Sequence, residues 1–370
     1  MAGILLGKWS SPDAGNQELP PLPKTWFQQR DFGHSDFGTS CYQAPGGGKY
    51  NSLFGDWVIF DPMTNGSVPR LPEAAMAMDG PLVSVVIATY NMAAFLPFAI
   101  QSALAQTYRN IEVLVIDDGS TDNTADVVVP HLANPRVRFL SQKNSGQAVA
   151  KNRGIRESGG QYVAFLDADD LWAPDKLELQ LPLFAASSSV GVVYSALSRI
   201  DDKGDRLPDI PISLHRGRVT GVMLISNFVG FGTSVVRREC FERLGLFDET
   251  LGMGIDYDLW LRISTEYEFD YVNRPLLYRR EWSGQMSKNW HTRYVKGIET
   301  MNRFLRNFPG AVEESTAREA WAHTYSGFGY CMWKIAGRRK EALRLYLLAL
   351  RHKPTYFVAW RGILATILTR

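Results

Sequence analysis

Val83-Ser84-Val85-Val86-Ile87-Ala88-Thr89-Tyr90-Asn91 is an almost unbroken apolar run that ends abruptly in polar residues. A half-buried strand alternates apolar and polar side chains, whereas a continuous run is what a parallel strand covered on both faces requires. Outward from it the pattern repeats. Phe95, Ile100, Ala103 and Leu104 recur at helical spacing, and 111–116 reads as a second strand. Residues 121–132 read as a helix capped by Ser120, followed by a strand at 137–140, a helix at 148–157 and a strand at 162–166. This alternation predicts a doubly wound α/β sheet. After residue 190 the signal is sparser, with a strand at 190–195, a helix at 217–226 and an amphipathic helix over 256–265. From about 291 only helix is expected. There Ala342, Tyr346, Ala349 and Pro354 are spaced as in one tetratricopeptide unit or a plain helical hairpin.

The bulk numbers fit such a body. The chain has 370 residues, 45% of them apolar, which is enough for a full-sized core. The net charge of +2 hides an asymmetry: residues 332–370 carry nine Lys/Arg and one Glu. A basic, aromatic-rich end on a mildly acidic body points to an anionic surface, either lipid or nucleic acid, as partner. The lipid is the choice here and nucleic acid is not expected. Residues 1–80 hold 8 of the 19 prolines and 11 of the 32 glycines, so an irregular extension is expected, with one short strand at 57–60. Cys41, Cys240 and Cys331 are too few and too scattered for a disulfide framework or a zinc site, which points to a reducing, cytoplasmic setting. No apolar stretch reaches the ~18 residues of a membrane span, and the short run at 3–7 is no secretory leader.

In open α/β sheets, ligands bind beyond the carboxyl ends of the strands. Three polar clusters stand there: Thr89-Tyr90-Asn91, then Asp117-Asp118-Gly119-Ser120, then Asp167-Ala168-Asp169-Asp170. Asp-x-Asp after a strand places two carboxylates where they can share Mg²⁺ or Mn²⁺, which also takes oxygens from substrate phosphates. Asp118 is suited to accept a hydrogen bond from a base imide, and Tyr90 to stack on a uracil ring. Asp256 opens a helix, as either a cap or a general base.

These segments, with Asn144-Ser145-Gly146, Ala150-Lys151-Asn152-Arg153-Gly154-Ile155 and Asp256 to Arg262, resemble family 2 of the glycosyltransferases over roughly residues 82–290. The resemblance implies an inverting enzyme of the GT-A type. Its fold would be a Rossmann-like mixed sheet with helices on both faces, here at 81–290, followed by a helical extension at 291–370. It implies that a nucleoside diphosphate sugar, a UDP-sugar in the first instance, donates a single sugar to a glycan or lipid-linked hydroxyl in polysaccharide, lipopolysaccharide or glycolipid synthesis. Thr89, Tyr90, Asn91, Asp118, Lys151 and Asp167 would meet the nucleotide, Asp167 and Asp169 the metal, and Asp256 would be the catalytic base. Three positions depart from the family pattern: Ile255 stands where Glu is frequent, Lys151 where Arg is usual, and Arg280-Glu281-Trp282 where a His is common. The competing expectation is a non-catalytic protein that binds nucleotide sugar or docks a partner. The basic tail adds the expectation of peripheral attachment to the inner face of a membrane.

Overall fold

The computed structural model describes residues 80–368 other than Pro211. The expected extension at 1–80, bar its last residue, and the strand at 57–60 lie outside the described residues. Strand β1 is Val83–Thr89, followed by helix α1 (Leu96–Leu104), β2 (Ile111–Asp117), α2 (Thr124–Val128), β3 (Val137–Ser141), α3 (Gln147–Glu157) and β4 (Tyr162–Phe165). A two-residue strand β5 (Leu171–Trp172) leads to α4 (Lys176–Ala186), the long β6 (Val190–Ile200) and its short hairpin partner β7 (Arg206–Leu207). Then come α5 (Thr220–Ile225), β8 (Val235–Arg237), α6 (Arg238–Leu244), α7 (Ile255–Ser264) and β9 (Glu268–Arg280). Four helices end the described chain: α8 (Trp290–Asn307), α9 (Glu314–Lys334), α10 (Arg339–His352) and α11 (Phe357–Leu368).

The sheet runs β3-β2-β1-β4-β8-β6-β9-β5, with β7 beside β6. The first four strands are parallel, β8 is antiparallel to both its neighbours, and β6 and β9 are parallel. It is therefore a mixed sheet. The apolar run of β1 is continuous because both its faces are covered. Val83, Val85 and Ile87 join Val113 and Val115 beneath α1 and α4. Val86, on the other face, joins Leu114 and Ile116 beneath α3 and α7. Met301 and Phe304 of α8 and Trp321 of α9 belong to that second cluster, so the helical extension is rooted in the sheet's own core. Ala342, Tyr346 and Ala349 lie buried in an outer cluster between α9, α10 and α11.

Two expected helices are shorter than the sequence pattern. The helix read as 121–132 begins at Thr124 and gives way to a 3-10 turn at Val129–Ala133. Asp122 Oδ1 accepts from Thr124 N at 3.0 Å and so occupies the would-be first turn, while Pro130 supplies no amide to continue the helix. Ser120 is not a cap; its Oγ accepts from Asn91 N at 2.9 Å. The helix read as 217–226 is reduced to α5.

β9 bends in mid-course. Its register against β6 slips at Pro275, opposite Ala196, where the missing amide breaks the ladder. Beyond the bulge, Leu277 and Tyr278 pair with β5, which carries Arg280 and Trp282 back to the strand ends.

α7 is tied to α8 by an ion-pair network. Asp258 accepts from Arg262 Nε at 3.0 Å and from Arg303 at 2.5 Å, and Arg303 also pairs with Asp248. Asp258 is almost fully buried. Removing a partner from such a pair leaves an under-compensated charge. Arg303→Ala should cost about 2 kcal/mol, below the ~3–5 of a fully buried pair because Arg262 remains. Urea unfolding checks this, and a change below ~0.5 kcal/mol would place the pair among the weak surface bridges.

Candidate active site

β1, β2 and β3 end level, with Thr89, Asp117 and Ser141 paired in register. The chain turns back between β3 and β4, so β1 and β4 flank the point where strand order reverses. Open α/β sheets carry their crevice at that point. The polar clusters named from the sequence all lie there.

The nucleotide candidates divide into those that hold the loops and those that are open. Asn91 adopts φ 52°, a left-handed conformation that Asn tolerates better than most residues. Its Oδ1 accepts from Thr121 N at 2.7 Å, which binds the loop after β1 to the loop after β2. Asp118 is buried, and its carboxylate gathers the Asn144-Ser145-Gly146 segment. Oδ1 accepts from Gln142 Nε2 at 2.8 Å and Ser145 N at 2.9 Å, and Oδ2 accepts from Gly146 N at 2.8 Å. Asp117 turns its own loop, accepting from Ser120 N at 3.0 Å. Tyr90, by contrast, is 45% exposed, with an open ring. The Thr89 hydroxyl is buried and has no hydrogen-bond partner among the described residues, which is uncommon for a native polar atom.

The acidic loop after β4 forms the floor. Lys151 projects from α3, almost fully buried, over the Phe231 ring at 3.8 Å, and donates to Asp167 Oδ1 at 3.2 Å. Asp169 Oδ2 accepts from Trp282 Nε1 at 2.8 Å. Burial, and then the neighbouring Asp167, push the Asp169 carboxyl above its ordinary pKa against that bond. Asp170 is pushed up further by burial and by Asp169 and Asp167, and its Oδ1 accepts from Arg280 N at 2.9 Å. Three carboxylates thus crowd this loop, and Lys151 forms a salt bridge to one of them, Asp167. Among the described residues no three His, Cys, Asp or Glu side chains converge as a metal cage. A cation held here would take Asp167 and Asp169 and find its other ligands on a bound phosphate, the habit of Mg²⁺ and Mn²⁺ in phosphate sites.

Asp256 stands at the start of α7, two residues after Gly254, whose left-handed φ of 75° favours glycine. Its Oδ2 accepts from Asn227 Nδ2 at 2.9 Å. Burial raises its pKa, and Asn227, the helix amides and Lys151 hold it back. Lys151 is thus electrostatically linked to Asp256 as well as bonded to Asp167. Asp258, two residues on, is committed to Arg262 and Arg303.

Three contributors were given no role in the sequence reading. Asn227 orients Asp256. Trp282 grips Asp169, and its ring packs against Phe95 at 5.5 Å. Arg280, 1% exposed, donates through Nε to Asp169 O at 2.9 Å and through Nη1 to Asp201 O at 3.0 Å, so it braces the acidic loop from beneath. Arg280 and Trp282 had a signal, since they occupy the place noted as departing from the family pattern. Asn227 had none, because it sits in a loop with no motif.

The fold is of the GT-A type. It resembles that of S. aureus TarS residues 1–349 in complex with UDP-GlcNAc, with a TM-score of 0.57 over 77% of this chain and 88% of that one at 18% identity. Residues 84–245 match the family described as Glycosyl transferase family 2, so this stretch of the chain is a domain of that family. An uncharacterised glycosyltransferase of Rickettsia typhi is 36% identical over 199 residues, 52% of this chain and 62% of that protein. Chondroitin synthase of Escherichia coli is 35% identical over 217 residues, 58% of this chain. The chain spans only 31% of that synthase's length.

The hydrogen bonds of Asp118 make it a structural residue whatever else it binds. Asp118→Ala would leave three donors short of an acceptor and should cost the ligand-free protein about 1–3 kcal/mol. Chemical denaturation measures this, and unchanged stability would mean that the 142–146 loop is held by other contacts.

Proposed function

We propose that the protein transfers a single sugar, with inversion, from a UDP-sugar to a hydroxyl of a glycan or lipid-linked acceptor in polysaccharide, lipopolysaccharide or glycolipid synthesis. The observation that carries this reading is the division of labour between Asp256 and Asp258. One carboxylate is held in the crevice by Asn227 within reach of Lys151's field, while its neighbour is spent on arginines.

In this reading the exposed Tyr90 ring stacks on the base and the unpartnered Thr89 hydroxyl bonds to the nucleoside. Asp118 and Asn91 hold the loops around the base, with Asp118 offering remaining lone pairs to its imide. The UDP-GlcNAc complex of TarS, on a similar fold, supports a uridine donor. A divalent cation, Mn²⁺ or Mg²⁺, fits the two carboxylates of Asp167 and Asp169, and when bound it would supply Lewis-acid stabilisation of the departing diphosphate. Lys151 adds a positive charge beside Asp167, as a point charge without the planar fork of an arginine. Asp256 takes the proton of the acceptor hydroxyl as it attacks the anomeric carbon from the face opposite the diphosphate. Most of the rate comes from positioning and electrostatics.

Asp256→Asn should leave UDP binding unchanged and lower transfer by roughly 10²–10⁴. Asn caps a helix about as well as Asp, so undiminished transfer by the folded variant would reduce Asp256 to a cap. The acid limb of the rate profile carries a second test. The base works only when ionised, and burial raises the Asp256 pKa while the Asn227 bond lowers it. Asn227→Ala should therefore move the acid limb to higher pH. A limb that stays in place would separate Asn227 from the base. Activity should also vanish in excess chelator and in Asp169→Asn, with Tm kept. Full turnover in chelator would remove the cation from the account.

A further inference from the structure

Helix α11 is built inside out. An amphipathic helix normally buries its large apolar residues and exposes the small and polar ones. Here the fully covered residues are small, Ala359 and Thr366, and of the large apolar ones only Ile363 packs inward on the outer cluster. A β-carbon at Gly362 would come within 2.4 Å of the Tyr346 ring, so α11 lies closer to α10 than any other residue would permit. Most of the large side chains face out: Phe357 is 74% exposed, Trp360 50%, Leu364 58%, Ile367 61% and Leu368 76%. They recur three and four residues apart and form one stripe along the helix. Trp360 donates its indole N–H to Pro354 O at 2.9 Å, which leaves the ring as bare apolar surface.

The surroundings of the stripe are basic. Residues 332–370 carry nine Lys/Arg against one Glu. Among the described residues of this run only Lys353 meets a carboxylate, Glu319 at 3.0 Å. Arg344, Arg351 and Arg361 are exposed and unpaired with acid among the described residues. An apolar stripe with Arg361 on its own helix and further uncompensated cations on the preceding one matches the boundary between anionic headgroups and acyl chains. A partner protein would need a complementary acidic rim, and the one acidic residue of this run cannot supply it to a second copy. The helix has 12 residues, about 18 Å of rise, well short of the ~30 Å hydrocarbon core. None of the described helices is long and apolar enough to cross a membrane. We infer that α11 lies in the plane of an anionic lipid surface and holds the protein there through Phe357, Trp360, Leu364, Ile367 and Leu368, with Arg351 and Arg361 on the headgroups. This surface stands apart from the crevice and does not rest on the transferase reading.

The test is sedimentation of the full chain with vesicles of phosphatidylcholine alone and of phosphatidylcholine mixed with phosphatidylglycerol. Binding is expected to the mixed vesicles only and to weaken with salt. Leu364→Glu/Ile367→Glu alters exposed positions and should keep the wild-type melting curve while lowering the partition by at least about ten-fold. Arg351→Gln/Arg361→Gln should lower it about five-fold per charge removed. No binding to the mixed vesicles, or equal binding by the Leu364→Glu/Ile367→Glu variant, would overturn the inference. A dimer in solution that dissociates in that variant would also overturn it, because the stripe would then be covered by a second copy.

Discussion

Three aspartates in four residues, Asp167, Asp169 and Asp170, at the end of a buried strand set the terms for everything around them. Carboxylates brought together out of water raise one another's pKa and would neutralise or spring apart if nothing answered them. The fold answers from three sides. Lys151 reaches in from α3 to Asp167, and Trp282 donates to Asp169. Arg280 gives its amide to Asp170 and its guanidinium to the backbone of the loop, resting on the Phe95 ring. Burial, and after it the neighbouring carboxylates, still holds Asp169 and Asp170 above their ordinary pKa values. In the proposed reading a divalent cation at Asp167 and Asp169 would complete the compensation and receive the diphosphate.

The same loop explains features of the fold that look unrelated to chemistry. β9 needs its bulge at Pro275 so that its last residues can pair with β5 and deliver Arg280 beneath the acidic loop. α3 packs on β1 and β2, which aims Lys151 inward. α7 is anchored through Asp258 to Arg262 and Arg303, so the anchoring falls to one carboxylate and Asp256, two residues earlier, is left in the crevice. Under the proposed mechanism, stability and catalysis are thus assigned to neighbouring aspartates of one helix, and the helical extension contributes to the site by fixing α7 in place.

Much of this was legible because the signals were local. The apolar runs at 83–88, 111–116 and 162–166 gave the parallel half of the sheet, and the polar residues after each run gave the crevice. What was not legible depended on contacts distant in sequence. Nothing in a sequence window says that Asp118 will gather amides from the 142–146 segment, or that Asn227 will meet Asp256 across 29 residues. The bulge at Pro275 shows only in the register against the partner β6. Ser120 had the composition of a helix cap, but a tertiary bond to Asn91 took precedence. The stripe on α11 was visible as an apolar segment, yet its orientation depended on how closely Gly362 lets the helix approach Tyr346.

The central claim is that the crevice at the ends of β1, β2 and β4 is a cation-assisted site for a uridine diphosphate group. Calorimetric titration of the full chain with uridine, guanosine and adenosine diphosphates, in Mn²⁺ and then in chelator, tests it most directly. The account predicts that uridine diphosphate binds best, that its affinity falls sharply in chelator, and that Tyr90→Ala weakens it by about 1–3 kcal/mol. Equal affinity for all three nucleotides, or affinity for uridine diphosphate indifferent to chelator and to Tyr90→Ala, would contradict it.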